Sequence, residues 1–288
     1  MKSKQPIIVA LVAGAIFVIA IALYLGQATE EPLTTTEPVA TEEAVEATTE
    51  TNVVSVVEAM EEIPDFKSYT NVKQKKHDFF NFMLPLVRRA NASVARDREY
   101  VQALAGQQSL SKPETARLLD LMKQYRLEAS ETPADQLDAL LVKIDTVPAS
   151  LILAQSANES AWGTSRFATE ANNFFGIWCF SRGCGLTPKD RDDGLSHEVA
   201  RFDSVQHGVG RYIHTLNSHP AYEQLRTIRL EQRQNGKDLS GIELAEGLVK
   251  YSERGAEYVE EIQSMISYNK LQQYNLATSE SSAVLLSE

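Results

Sequence analysis

The stretch "AQSANESAWGTSRFA", residues 154–168, carries one acid. Glu159 follows the apolar run Leu151, Ile152, Leu153 and Ala154, and it precedes Trp162 and Gly163. Pro148 suits the first turn of a helix. A helix over 148–161 places Ile152, Ser156 and Glu159 at i, i+4 and i+7, on one face. Gln155 and Glu159 are also four apart. The helix must end near Gly163. A carboxylate there meets the negative end of the helix dipole, and partial burial disfavours its charged form. Both effects raise its pKa, as a general acid working near neutral pH requires. On the local pattern alone, a structural carboxylate bonded to nearby backbone or paired with Arg166 is the stronger reading.

Aromatic residues shift that balance. Trp162, Phe174, Phe175, Trp178, Tyr251 and Tyr258 offer flat faces and polar tips suited to sugar rings. Ordinary core packing is the better reading for Phe174 and Phe175. Trp178 lies in a Gly-rich lobe where a Trp is harder to bury.

The surrounding pattern is mostly helical from Asn71 onward. Phe79, Phe80, Met83, Leu84 and Val87 recur at helical spacing. Ser111-Lys-Pro-Glu114 reads as a capping box, Pro133 as an early helical position, and Asp203 and Ser240 as helix caps. Tyr258, Ile262, Met265 and Ile266 mark a last helix. Between Asn172 and Phe202 the pattern breaks at Gly176, Gly183, Gly185, Pro188 and Gly194. The pieces "FFGIW" and "HEVARF" there read as short strands of a small β-lobe.

Hydrophobic residues make up 43% of the 288, enough for a real core, and the net charge of −11 is unevenly placed. From Gln27 to Glu62 there are ten Glu, eight Thr and no Lys or Arg. Such a stretch cannot bury enough surface to offset ordering entropy, so it reads as a solvated tether. The remainder is close to charge-balanced and has no basic stripe for nucleic acid. Residues 7–25 are nineteen without a charge. As a helix they would span roughly 28 Å, close to the hydrocarbon thickness. Lys2 and Lys4 precede them, which keeps the N-terminus cytoplasmic and exports the body. A signal peptide cut near Gly26 and Ala28 is the competing reading. The apolar length favours an uncleaved anchor.

"ANESAWGTSRFA", "NNFFGIW" and "FDSVQHGVGRYIHTLNSHPAYEQL" together resemble the glucosaminidase-type domain of glycoside hydrolase family 73, and within it the membrane-associated bacterial Bax-type proteins. The resemblance covers residues 140–274. It implies a lysozyme-like helical fold with a small β-lobe and hydrolysis of β-1,4 bonds after N-acetylglucosamine in peptidoglycan. It implies Glu159 as general acid and Tyr251 as a catalytic partner, from the family's Tyr that opens "Y-A-x-D-x-x-Y". Here the spacing to Tyr258 is one residue longer. Trp162, Asn173, Phe175, Trp178 and Tyr258 are the implied sugar-binding residues.

For the usual second carboxylate the lobe offers Asp190, Asp192, Asp193, Glu198 and Asp203, and the resemblance, which implies a Glu shortly before "ARFDS", points to Glu198. Strand alternation would put His197 and Val199 on one side and Glu198 and Ala200 on the other. A Glu198 facing the groove could hold a water opposite Glu159, about 6.5–9.5 Å away in an inverting geometry. A solvent-facing strand Glu is the alternative. Cys179 and Cys184, the two cysteines, suggest a disulfide in an exported lobe. Zinc would need further ligands such as His197 and His207. The Asp190, Asp192, Asp193 cluster fails as an EF-hand, since its fifth and sixth positions are Gly194 and Leu195. No metal or other cofactor is expected.

The expected chain is therefore mainly α. It comprises a cytoplasmic tip and transmembrane anchor (1–25), a disordered acidic linker (26–65), a helical region (66–140), the catalytic domain (141–276) and a flexible tail (277–288). Its expected partners are peptidoglycan glycan strands and the inner membrane, with the catalytic domain in the periplasm. A lytic transglycosylase shares the fold and a single Glu, but its "G-x-M-Q" is absent. A non-catalytic wall-binding protein is the other alternative.

Overall fold

The computed structural model describes residues 62–105, 107–128, 132–189 and 196–275. The expected anchor, most of the acidic linker, the tail and the Asp190–Asp193 cluster lie outside them. Among the described residues no helix is long and apolar enough to cross a membrane.

The longest element is α1, Val72–Ala105. Asn71 starts it by accepting the N–H groups of Lys73 and Gln74. Next come α2, Lys112–Gln124, and α3, Pro133–Lys143. Ser111 and Glu114 form a reciprocal capping box on α2. Then follow α4, Ala149–Glu159, and α5, Arg166–Ala171. The remaining helices are α6, Val205–Ser218; α7, Glu223–Gln234; α8, Gly241–Ala245; and α9, Ala256–Tyr268. Ser204 caps α6, one residue later than expected, and Asp203 instead lies 3.4 Å from His207.

α4 is the centre of the described helical body. Every residue from Ala149 to Ala157 is buried, the mark of a helix wrapped on all sides. α1 serves two cores. Its first half buries Phe79, Phe80, Met83 and Val87 against Ile152, Leu153 and Val209. Its far end buries Val101 and Leu104 with Leu118 and Leu121 of α2 and Leu137 and Leu140 of α3. α3 runs unbroken through residue 140, so no seam divides the early helices from the later ones there.

The end of α3 is fastened by buried charge. Arg229 of α7, 1% exposed, donates to the carbonyls of Val142, Lys143, Asp145 and Thr146. Val142 and Lys143 close α3, where carbonyls lack helical N–H partners, and Asp145 and Thr146 follow in the loop. Asp145, 3% exposed, binds Arg233 through both oxygens and lies 3.7 Å from Arg98. Burial alone would raise the Asp145 pKa, but the Arg233 hydrogen bonds and the Arg229 and Arg98 charges hold it below the usual carboxylate value.

The lobe is a three-stranded antiparallel sheet in the order β1-β3-β2. β1 is Trp178–Cys179, β2 Gly185–Leu186 and β3 Glu198–Ala200. Of "FFGIW" only Trp178 is in a strand; Phe174 and Phe175 are buried in the preceding turn. A Cβ on Gly185 would lie 1.9 Å from the Val199 carbonyl oxygen, so glycine alone lets β2 close on β3. Cys179 and Cys184 form a disulfide that ties β1 to the turn before β2. A helical body with one small sheet is the architecture expected of a lysozyme-like domain.

Candidate active site

Glu159 is the last residue of α4. Beyond it the chain turns through three residues in the left-handed region, Ala161, Trp162 and Gly163, at φ 50°, 59° and 75°. Two of these are not glycine, and the conformation survives only where contacts over-determine it. Ser160, fully buried, donates to the Ser156 carbonyl and accepts the Gly163 N–H. The Trp162 N–H reaches back to the Ala157 carbonyl at 2.8 Å. A Cβ on Gly163 would lie 2.4 Å from the Phe66 ring, so position 163 needs glycine for space as well as for φ. The turn stops α4 at the acid.

The carboxylate meets a directed chain of buried hydrogen bonds. Tyr212 donates to Gln155 Oε1. Gln155 Nε2 donates to the Tyr258 oxygen at 2.9 Å. Tyr258 donates to Glu159 Oε1 at 2.7 Å. Each donor in the series polarises the next, with Glu159 as final acceptor. Burial raises the Glu159 pKa above the usual carboxylate value, against the opposing pull of the Tyr258 hydrogen bond and the Arg254 charge. Its place at a helix C-terminus acts in the same direction as burial. The result is a partly buried acid that holds its proton longer than an ordinary Glu.

Glu159 opens on a groove of about 1850 Å³ between the helical body and the lobe. Phe175 and Tyr212 lie in its wall, stacked on each other at 4.0 Å. Tyr251, also in the wall, stacks on Tyr258 at 5.3 Å and donates its hydroxyl to the Phe175 carbonyl at 2.7 Å. On the lobe side Trp178, 56% exposed, stacks on His197 at 4.2 Å and presents a flat face to the groove. Phe180, 73% exposed, continues that apolar edge.

Residues 137–271 match the glucosaminidase family model, described as mannosyl-glycoprotein endo-beta-N-acetylglucosaminidase. Over 197 residues the chain is 30% identical to protein bax of Escherichia coli (strain K12), covering 68% of this chain and 70% of that protein. The chain belongs to the glucosaminidase family. At that level it is a glycoside hydrolase. Among solved structures, the catalytic domain of the autolysin Auto from Listeria monocytogenes is similar over 81% of this chain and 99% of that one, at 19% identity and a TM-score of 0.39.

Within this glucosaminidase domain several expected site residues do other work. Glu198 is not placed as a second catalytic carboxylate. It is 8% exposed, and its two oxygens accept the N–H groups of Gly183 at 3.0 Å and Gly185 at 2.8 Å. Strand alternation does separate it from its neighbours, but His197 and Val199 are the ones that line the groove. Glu198 faces the disulfide instead and shapes its loop. It lies within 4.8 Å of both sulfurs, but the disulfide occupies these, which leaves no thiolate for a metal.

Trp162 is not a groove residue. The left-handed turn sends its ring against Phe79 and Phe80, with centroids 5.5 and 5.4 Å away and Lys76 Nζ above it. Asn173, 1% exposed, clamps the turn into the lobe. Its amide donates to the carbonyls of Ile177 and Ala200 and accepts the N–H groups of Phe175 and Ile177. Tyr258, 1% exposed, is too deep to touch a sugar and acts through Glu159. His207 is on the surface beside Asp203 and Phe202, away from Cys179 and Cys184.

Sequence reading missed Gln155 and Tyr212 as parts of the site. The four-residue spacing from Gln155 to Glu159 was a usable signal. Tyr212 carried none, because it sits among apolar neighbours on the inner face of α6.

Proposed function

We propose that the chain hydrolyses peptidoglycan, cleaving β-1,4 bonds after N-acetylglucosamine, with Glu159 as general acid. The observation that carries this reading is a carboxylate at the end of the central helix, raised in pKa, held by the Tyr258 hydroxyl and open to a long groove. Glu159 protonates the leaving glycosidic oxygen. Trp178 supports a sugar ring from the lobe, and Tyr251 forms the wall beside the acid. Since Glu198 is engaged with backbone, the attacking group on the other face is best supplied by the substrate. The acetamido oxygen of the N-acetylglucosamine unit attacks the anomeric carbon as the glycosidic bond breaks, and water then opens the cyclised intermediate.

Reducing N-acetylglucosamine ends released from purified sacculi would support hydrolysis. Anhydro-muramic ends would make the chain a transglycosylase. Binding to sacculi without any release would make it a wall-binding protein. Glu159→Gln keeps the shape and removes the proton, so it should lose at least ~100-fold in rate. A thiazoline analogue of the cyclised sugar should inhibit competitively, and failure to inhibit would remove the acetamido step.

The same reading anchors the chain in the inner membrane through residues 7–25, with the catalytic domain in the periplasm. The apolar length of that segment supports it, as does a disulfide suited to an oxidising compartment. Intact protein should stay with inner membrane through salt and carbonate washes. A soluble form starting near Thr29 would overturn the anchor.

A further inference from the structure

The glucosaminidase family model begins at residue 137, so α2 and the turn after it lie ahead of that model's start. That turn nonetheless supplies a groove-lining residue, Arg126. Its backbone is left-handed at φ 56°, a conformation that costs free energy in a residue with a side chain. The surroundings hold it there. Tyr125 is buried, with its ring 5.1 Å from that of His214 on α6. His214 Nε2 lies 3.0 Å from the Gln124 carbonyl oxygen. Lys143 Nζ donates to the carbonyls of both Tyr125 and Arg126. The Leu127 N–H closes the turn on Met122 at 2.8 Å.

Arg211, exposed on α6, lines the same groove. Among the described residues neither guanidinium has an ion-pair partner. Two histidines share their field. Burial lowers the pKa of His214, and the Arg211 and Arg126 charges lower it further. His219, a groove residue, is lowered by burial and then by Arg126. Among the described residues positive charge therefore gathers without an ion-pair partner on one edge of the groove, in a chain whose net charge is −11. The hydroxyl and acetamido groups of a sugar carry no charge that would call for it. Arginine suits carboxylates, which its planar fork can bind through two parallel hydrogen bonds.

We propose that Arg126 and Arg211 form a carboxylate-binding rim that recognises the acidic peptide stems carried by the glycan strand. The proposal rests on the peptidoglycan reading above and narrows it to stem-bearing strands. The early helices then have a role in specificity, because α2 brings one of the two cations to the groove.

The test compares two preparations of sacculi. One is native; in the other the stem carboxyls are converted to amides with a carbodiimide and ammonia. The wild-type chain should show a roughly tenfold lower kcat/KM on the amidated preparation, the scale of one charge-assisted hydrogen bond. Arg126→Gln/Arg211→Gln should be that much slower on native sacculi and no slower still on amidated ones. Its rate should also lose most of its dependence on salt. Equal wild-type rates on both preparations, or a variant that keeps the preference, would overturn the rim. If wild type cleaves neither, hydrolysis fails as a reading, and sedimentation with the two preparations decides the rim alone. Binding to native sacculi that is stronger than to amidated ones and is lost in the variant upholds it; equal binding refutes it.

Discussion

Tyr258 stands between Gln155 and Glu159, accepting from the first and donating to the second. The position gives it two opposed effects on the acid. Its hydroxyl aims the carboxylate and favours the charged form, lowering a pKa that burial has raised. Tyr258→Phe should therefore move the alkaline limb of the kcat/KM profile to higher pH, because the protonated acid persists further. The maximal rate should fall about tenfold as the aim is lost, less than the roughly 100-fold or more that losing the general acid itself costs. An alkaline limb that stays in place while the rate falls would mean that Tyr258 supports only the fold.

Glu198→Gln separates a catalytic carboxylate from a structural one. A general base lost to an amide costs on the order of 100-fold. Here the variant should retain kcat within a few-fold and show no rescue by azide. Its amide can accept one of the two loop N–H groups and would oppose the other, so the lobe should loosen. Faster hydrogen exchange at Gly183 and Gly185 would report that loosening.

Reduction of Cys179–Cys184 acts on the same lobe. Closing so short a loop stabilises by about 2 kcal/mol on the chain-entropy model. The helical cores do not depend on it, so the melting temperature should move only a few degrees. KM should rise several-fold, since Trp178 adjoins Cys179 in β1. An unchanged KM would show that the lobe holds Trp178 without the bridge.

Asp145 sets a limit at acid pH. Its folded pKa lies below its unfolded value, so its stabilisation is present above the unfolded pKa and is lost as pH falls through the folded one. Asp145→Asn leaves Arg229 buried without its counter-charge and should cost about 3–5 kcal/mol at neutral pH. Denaturant melts of the variant should also lack the part of the acid destabilisation that wild type shows below about pH 4.

The helix that carries Glu159 was legible because Pro148, the run Leu151–Ala154 and Gly163 mark its start, its burial and its end. The β3 alternation was legible too, yet it fixes only that Glu198 and Val199 oppose each other. Which of them sees the groove depends on how the sheet docks, and strand period carries no such information. Trp162 was misplaced for a related reason. Its direction follows from positive φ at Ala161 and Trp162, which non-glycine residues adopt only under tertiary contacts. Arg126 is another such residue, its turn held by Lys143, 17 positions away, and by His214, 90 positions from Gln124.

The turn after Glu159 also decides how much of the chain is needed to make a glucosaminidase domain. Phe66 covers Gly163, and Phe79 and Phe80 enclose Trp162, yet all three precede residue 137, where the family match begins. Each large apolar side chain loses roughly 1.5–3 kcal/mol when its burial is undone. A domain has only about 5–15 kcal/mol of net stability to lose. A fragment cut at residue 137 would bare the back of α4 along the whole face that α1 covers, and it should not fold. The unit that evolution can transplant or a protease can release intact must therefore start ahead of Phe66. The start of the glucosaminidase family model and the physical boundary are about seventy residues apart in this chain.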